Sequence, residues 1–150
     1  MENKLTCKNK TMKKFLHRNN ILSICSSSDD DLWSANCIFK FDEEKMALII
    51  STHKETRHAK IMKENYVVSG TMYSKSPFLF LKQGVQYKGQ IENLSGSQLE
   101  KAKSLYLDKY PLFKSRAHDI WEITLEEIKF TDMRFGRVKK STWYRDNNSH

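Results

Sequence analysis

Apolar residues recur along this chain in two rhythms, and the switches between them divide it into elements. Near the start, Leu5, Met12, Phe15 and Leu16 fall at helical spacing with Lys8, Lys13 and Lys14 on the other faces, and Asn19-Asn20 closes the predicted helix. Residues 21–25 then read as a short strand and 26–31 as a polar turn. The next stretch has period two: Trp33, Ala35, Cys37, Phe39 and Phe41 point one way, Ser34, Asn36 and Lys40 the other, joined by Ile38. After a turn at Asp42-Glu43-Glu44, residues 45–52 return apolar on both faces. The pair predicts a β-hairpin whose second strand is buried on both sides.

Further along, residues 55–63 predict one or two helical turns carrying Ala59 and Met62, and 66–73 a strand with Val67, Val68 and Met72. Ser74-Lys75-Ser76-Pro77 turns the chain into a long strand over 78–92, with Leu79, Leu81, Val85, Tyr87 and Ile91 sharing a face and Gly84 and Gly89 marking bends or bulges. Ser97-x-x-Glu100 reads as a capping box opening a helix with Leu99, Ala102, Leu105, Tyr106 and Tyr110 on its apolar face, stopped by Pro111. Trp121, Ile123 and Leu125 alternate, Ile128 and Phe130 continue the strand, Glu126-Glu127 reads as a turn, and a basic strand runs over 138–145. Six or seven strands with three short helices predict a mainly β, closed or half-closed antiparallel barrel with peripheral helices, one domain over residues 1–150.

Composition narrows the class. An apolar fraction of 39% in 150 residues supplies an ordinary core. The longest apolar run, Met46-Ala47-Leu48-Ile49-Ile50, is far too short to span a membrane, so a soluble, cytoplasmic protein is expected. Cys7, Cys25 and Cys37 are widely spaced and make no Cys-x-x-Cys, and His53 and His58 are five apart, so no metal site is expected. The net charge of +8 sits at the ends: residues 1–20 hold six basic groups and one acid, 134–150 five and one, and 21–133 fifteen and sixteen. Such ends would attract nucleic acid or a phosphorylated ligand, or simply form a solvated surface.

No Gly-x-Ser-x-Gly, phosphate-binding glycine loop or dinucleotide fingerprint occurs. One stretch carries chemistry. The buried strand ends in Ser51-Thr52 and runs through His53-Lys54-Glu55 into Thr56-Arg57-His58. A strand feeding a helix N-terminus gathers free backbone N–H groups and the positive end of the helix dipole. Thr52 and Thr56 hydroxyls with Lys54 and Arg57 beside them would complete a phosphate cradle; alternatively Thr56 caps the helix and Arg57 faces water.

The string Ser51-Thr52-x-x-x-Thr56-Arg57-His58 resembles the FMN-binding segment of pyridoxamine 5′-phosphate oxidase-like split-barrel flavoproteins. In that comparison Thr52 matches the strand-ending Thr, while Thr56, Arg57 and His58 match the Ser-Arg-Lys that hold the FMN phosphate; Ser51 stands where Tyr is frequent. Leu32-Trp33-Ser34-Ala35-Asn36, Lys54-x-Thr56-Arg57-His58-Ala59, Gly84-Val85-Gln86-Tyr87-Lys88-Gly89, Glu127-Ile128-Lys129-Phe130-Thr131-Asp132 and Trp143-x-Arg145, in that order, look like the uncharacterised YhbP-like bacterial branch. The resemblance implies an antiparallel split barrel, a homodimer with FMN in the inter-subunit groove, and flavin-dependent redox chemistry on a small molecule. It makes Trp33, Phe39 and Trp143 candidates to wall the flavin ring and Asn36 a candidate for its polar edge. Residues 34–39 lack the oxidase's basic groups and Gly84 replaces its Gln, so oxidation of pyridoxamine phosphate itself is not implied. Two other readings stand beside this one: a carrier or sensor of flavin or haem, with His58 or His118 as axial ligand, and a basic nucleic-acid-binding barrel.

Overall fold

The computed structural model describes residues 7–117 and 119–146. Leu5 and His118 lie outside the described residues. In chain order the elements are α1 (Lys10–Arg18), β1 (Ile21–Ser27), β2 (Leu32–Asp42), β3 (Ala47–Ser51), α2 (Arg57–Glu64), β4 (Val67–Tyr73), β5 (Gln83–Asn93), α3 (Gly96–Lys109), β6 (Ile120–Asp132) and β7 (Lys139–Tyr144). All strand pairings are antiparallel, in the order β3-β2-β1-β4-β5-β6-β7, and β3 also pairs with β6. Six strands therefore close into a barrel, and β7 extends it along β6. This is a split barrel.

The split is visible in β6. Its first half, Ile120 to Thr124, lies against β3, and its second half, Glu127 to Asp132, lies against β7. Between them Arg145 fills the seam. Its Nε donates to the Leu125 carbonyl at 2.6 Å, and a terminal nitrogen donates to the Lys45 and Met46 carbonyls at 2.9 Å each. Arg145 thereby ties three backbone carbonyls across the seam, of which that of Met46 also accepts Leu125 N–H at 3.2 Å.

Alternation sets the core. Leu22, Ile24, Phe39, Phe41, Leu48, Ile50, Trp121, Ile123 and Leu125 fill the barrel. The opposite face of β3 and the start of β6 present Ile49 and Ile120 to Ala102 and Tyr106 of α3. That is why β3 is apolar on both faces. The five-residue stripe of β2 holds its phase, but its outer end leaves the core: Cys37, Phe39 and Phe41 are buried, Ala35 half-buried and Trp33 exposed.

Several boundaries differ from the sequence reading. Leu79 and Leu81 do not extend β5; they form a 3-10 turn, with Leu79 exposed, because Pro77 and the turn residues hold the chain off the sheet. The cap of α3 is Ser95, and Ser97 lies within the helix, since Gly96 at φ 61° already turns the chain into it. Glu126-Glu127 is no turn. It lies inside the thirteen-residue β6, where Lys88 faces Glu127 but Gly89 faces Leu125, leaving Glu126 as a one-residue bulge. Gly89 does mark that bulge, because a side chain there would run into the Thr124 carbonyl. Among the described residues no helix is long and apolar enough to cross a membrane.

Candidate functional site

The site grows from the place where β3 ends. β2 pairs with β1 along its whole outer half, but with β3 only from Phe39 to Asp42, so residues 32–37 run on beyond the end of β3. Into that corner the chain turns from β3 to α2. Two anchors fix the turn. The buried Trp121 donates its indole N–H to the Thr52 carbonyl at 3.1 Å, and Asp119 accepts Thr52 N–H at its carbonyl (3.1 Å) and Lys54 N–H at its carboxylate (2.9 Å).

Thr56 is the N-cap of α2, with its hydroxyl accepting from Ala59 N–H at 3.3 Å and donating to the His53 carbonyl at 2.9 Å. One turn in, His58 swings back over the loop. Its Nε2 stands 2.7 Å from Thr52 Oγ1 and 3.2 Å from Thr56 Oγ1. Thr52 is buried, and burial pulls the His58 pKa below its ordinary value, which keeps the ring neutral near neutral pH. Thr52, Thr56 and His58 are thus one cluster: the spacing suggested the two threonines together, and His58 came from the resemblance alone.

Arg57 points the other way. Its Nε donates to Asp31 Oδ2 at 2.9 Å and a terminal nitrogen to Asp31 Oδ1 at 2.6 Å, a two-pronged pair. The guanidinium also lies over the Trp33 ring, 3.9 Å from its centroid. The space there, lined by Asp30, Asp31, Glu55 and Glu64 against Arg57 and Lys60, carries more acid than base.

On the Thr52 side a cavity of about 290 Å³ opens between β2, the end of β3 and the segment after α3. Asn36, Ser51 and Thr52 line it, with Tyr106, Phe113 and Arg116 opposite. Nothing in the sequence flagged Phe113, Arg116 or Asp31, which have no motif: Phe113 and Arg116 reach the site from the segment after α3, and Asp31 from the β1–β2 turn. The remaining candidates are placed as follows. Lys54 is held by its backbone at the turn, and its side chain is exposed. Phe39 is fully buried in the barrel, so it walls no ring: the inward phase of β2 takes it into the core. Trp143 pairs with Ile128 on β6, eight residues past Ile120, the partner of Ser51. At about 3.3 Å per residue that is roughly 25 Å away within one chain. Of the two histidines considered for haem, His58 already spends its Nε2 on the threonines. Among the described residues no three His, Cys, Asp or Glu side chains gather as a metal site.

The chain has relatives in sequence and in fold. The chain is 38% identical over 134 residues to a UPF0306 protein of Yersinia pseudotuberculosis serotype O:3, covering 89% of this chain and 91% of that one. A UPF0306 protein of Yersinia pestis is 37% identical over the same shares. The chain belongs to the UPF0306 family. No protein-family model matches it.

Solved structures share the fold at low identity. A heme binding protein from Mycobacterium smegmatis superposes with TM-score 0.72 at 14% identity over 91% of this chain, which spans only 60% of that protein. An FAD-binding protein from Mesorhizobium loti gives 0.67 at 14% identity, covering 83% of this chain and 94% of that one. PhzG from Burkholderia lata, solved in complex with tetrahydrophenazine-1-carboxylic acid, gives 0.63 at 16% identity, covering 92% and 83%. The split barrel of this UPF0306 protein is a fold found among flavin- and haem-binding proteins.

Proposed function

We propose that this UPF0306 protein binds FMN and acts as a flavin-dependent oxidoreductase on a small molecule, in the YhbP-like manner its sequence blocks resemble. The Thr52–His58–Thr56 cluster carries the reading. It sets a buried hydroxyl, a capped helix start and a neutral imidazole beside a cavity, in a barrel whose fold relatives include an FAD-binding protein.

Proton accounting shows how the cluster would serve a phosphate. The single Thr56 hydroxyl proton goes to the His53 carbonyl, so the Nε2 contact to Thr56 needs the proton on Nε2. Nε2–H then donates to Thr52 Oγ1 as well, and the Thr52 hydroxyl proton is left for a ligand oxygen. Ser51, Asn36 and Lys54 border the same corner; Arg57 joins it only by releasing Asp31. Bound FMN would supply hydride or electron transfer, while the chain orients it and excludes water.

A homodimer belongs to the proposal, since Trp143 lies too far from its own Thr52 to wall the same ring and a second copy would have to supply it. Three cysteines free of disulfides suit a reducing cytoplasm. The absorbance spectrum of the purified protein, followed by titration with FMN, tests the core of the reading. Flavin bands and saturable uptake are expected; a protein that neither carries nor takes up FMN at micromolar concentration overturns it.

A further inference from the structure

We infer that Arg116 is the cation that receives the oxyanion of the ligand in the cavity beside Thr52, with Arg57 held in reserve against Asp31. The inference rests on the flavin reading for the identity of the ligand, but not for the existence of the anion site.

Two cationic spaces flank the turn that carries Thr52 and Thr56, and their charge decides between them. On the Arg57 side four carboxylates face two cations, and the Arg57 fork is already filled by both oxygens of Asp31. A phosphomonoester, with about −1.5 to −2 charges at neutral pH, would have to displace a carboxylate and sit among three others. On the Arg116 side the lining, among the described residues, holds one cation and no carboxylate. Among the described residues Arg116 makes no ion pair, although Asp119 lies three positions on, because the Asp119 carboxylate is turned to Lys54 N–H.

The segment that presents Arg116 is fixed rather than trailing. Arg116 N–H donates to the Phe113 carbonyl at 2.9 Å and Ala117 N–H to the same carbonyl at 2.7 Å, so one tight turn sets the base of the side chain. Opposite stand the donors an oxyanion needs: the Thr52 hydroxyl, whose proton is open to a ligand when His58 Nε2–H donates to it, and the amide of Asn36. Tyr106 and Phe113 supply apolar walls for a planar body attached to the anion. A planar guanidinium matches a phosphate or carboxylate with two parallel donors, which a lysine would not.

The test uses the full chain with Arg116→Ala and Arg116→Lys, whose exposed side chain leaves the core intact by circular dichroism. FMN and riboflavin are titrated by quenching of flavin fluorescence, and inorganic phosphate is titrated separately into flavin-free protein by NMR at the Thr52 and Ala117 amides. If the anion is the FMN phosphate, Arg116→Ala weakens FMN and inorganic phosphate by about ten- to a hundredfold and leaves riboflavin unchanged. Arg116→Lys should recover only part of the loss. If the anion belongs to a second ligand, flavin affinities stay level and benzoate binding to the flavin-loaded protein falls by a similar factor in Arg116→Ala. Unchanged FMN, phosphate and benzoate binding in Arg116→Ala overturns the inference. Phosphate binding that depends on Arg116 in a protein that takes up no flavin would sustain the site while removing the flavin reading.

Discussion

His58 Nε2 lies 2.7 Å from the hydroxyl of Thr52, six residues upstream, and this contact joins the end of β3 to the first turn of α2. Because Thr56 spends its own proton on the His53 carbonyl, a hydrogen bond between Nε2 and Thr56 as well calls for the Nε2–H tautomer of a neutral ring. Long-range nitrogen–proton NMR near neutral pH should therefore show Nε2 as the protonated nitrogen. A ring protonated on Nδ1 alone would mean that Thr52 donates to His58, and its hydroxyl would no longer be open to a ligand.

The same contact has a pH signature. Burial lowers the folded-state pKa of His58 below its ordinary value of 6.5. The unfolded chain thus binds the proton at higher pH than the folded chain, and stability rises with pH across that window. As pH falls from about 6.5 toward the lower folded value, the His58 contribution should be lost progressively, and below both values the loss should level off. The test is the difference in Tm between wild type and His58→Gln, followed from about pH 7 to pH 5. A constant difference across that range would show that the ring is not desolvated in solution.

Arg57 and Asp31 give a paired prediction. If the FMN phosphate instead bypasses Arg116 and reaches Arg57 by displacing Asp31, then Asp31→Asn should tighten FMN several-fold and Arg57→Ala should weaken it by about tenfold or more; with the phosphate on Arg116, both variants should leave FMN affinity level. Riboflavin, which has no phosphate, should respond to neither. Equal changes for both flavins would assign Arg57 and Trp33 to the shape of the β1–β2 turn.

Trp121→Phe probes the anchor of the site. The substitution preserves most of the buried volume but leaves the Thr52 carbonyl without its indole donor, at a cost of about 1–3 kcal/mol in unfolding free energy. Flavin affinity should fall along with stability, since Thr52 loses its fixed position. Chemical denaturation and the FMN titration measure both; an affinity unchanged while stability drops would detach Trp121 from the site.

The dimer is tested by light scattering, where a mass near twice 17.7 kDa is expected. If the groove is shared, Trp143→Ala should lower flavin affinity without lowering the mass. A monomer that binds FMN normally would remove Trp143 from the site and leave the barrel as it stands.

How much of this could be read from residues alone varies with the range of the contact. The β2–β3 hairpin was legible because alternation is local, and the double-sided burial of β3 announced that something would cover its outer face. Thr52 and Thr56 were legible together for the same reason, a strand end followed closely by a cap, while His58 joined them by the resemblance alone. Arg116 and Asp31 were not legible, because Arg116 meets Thr52 across 63 residues of intervening chain and Asp31 meets Arg57 across 25, with no spacing to betray them. The capping box at Ser97 misled because its pattern was right but a glycine one position earlier had already begun the helix.

The seam filled by Arg145 has a consequence for how the molecule is made. The strand that closes the barrel, β6, is made after the other five barrel strands, and the side chain that seals its change of partner follows only at position 145. While a ribosome still holds those residues, β3 has a neighbour on one side only, and its Leu48-Ile49-Ile50 edge has nothing to pair with. Closure therefore waits for the sixth barrel strand and spans a long stretch of intervening sequence, which makes it slow. Nascent chains interrupted short of β6 would expose their stickiest strand, and would be the forms of this protein that call for a chaperone.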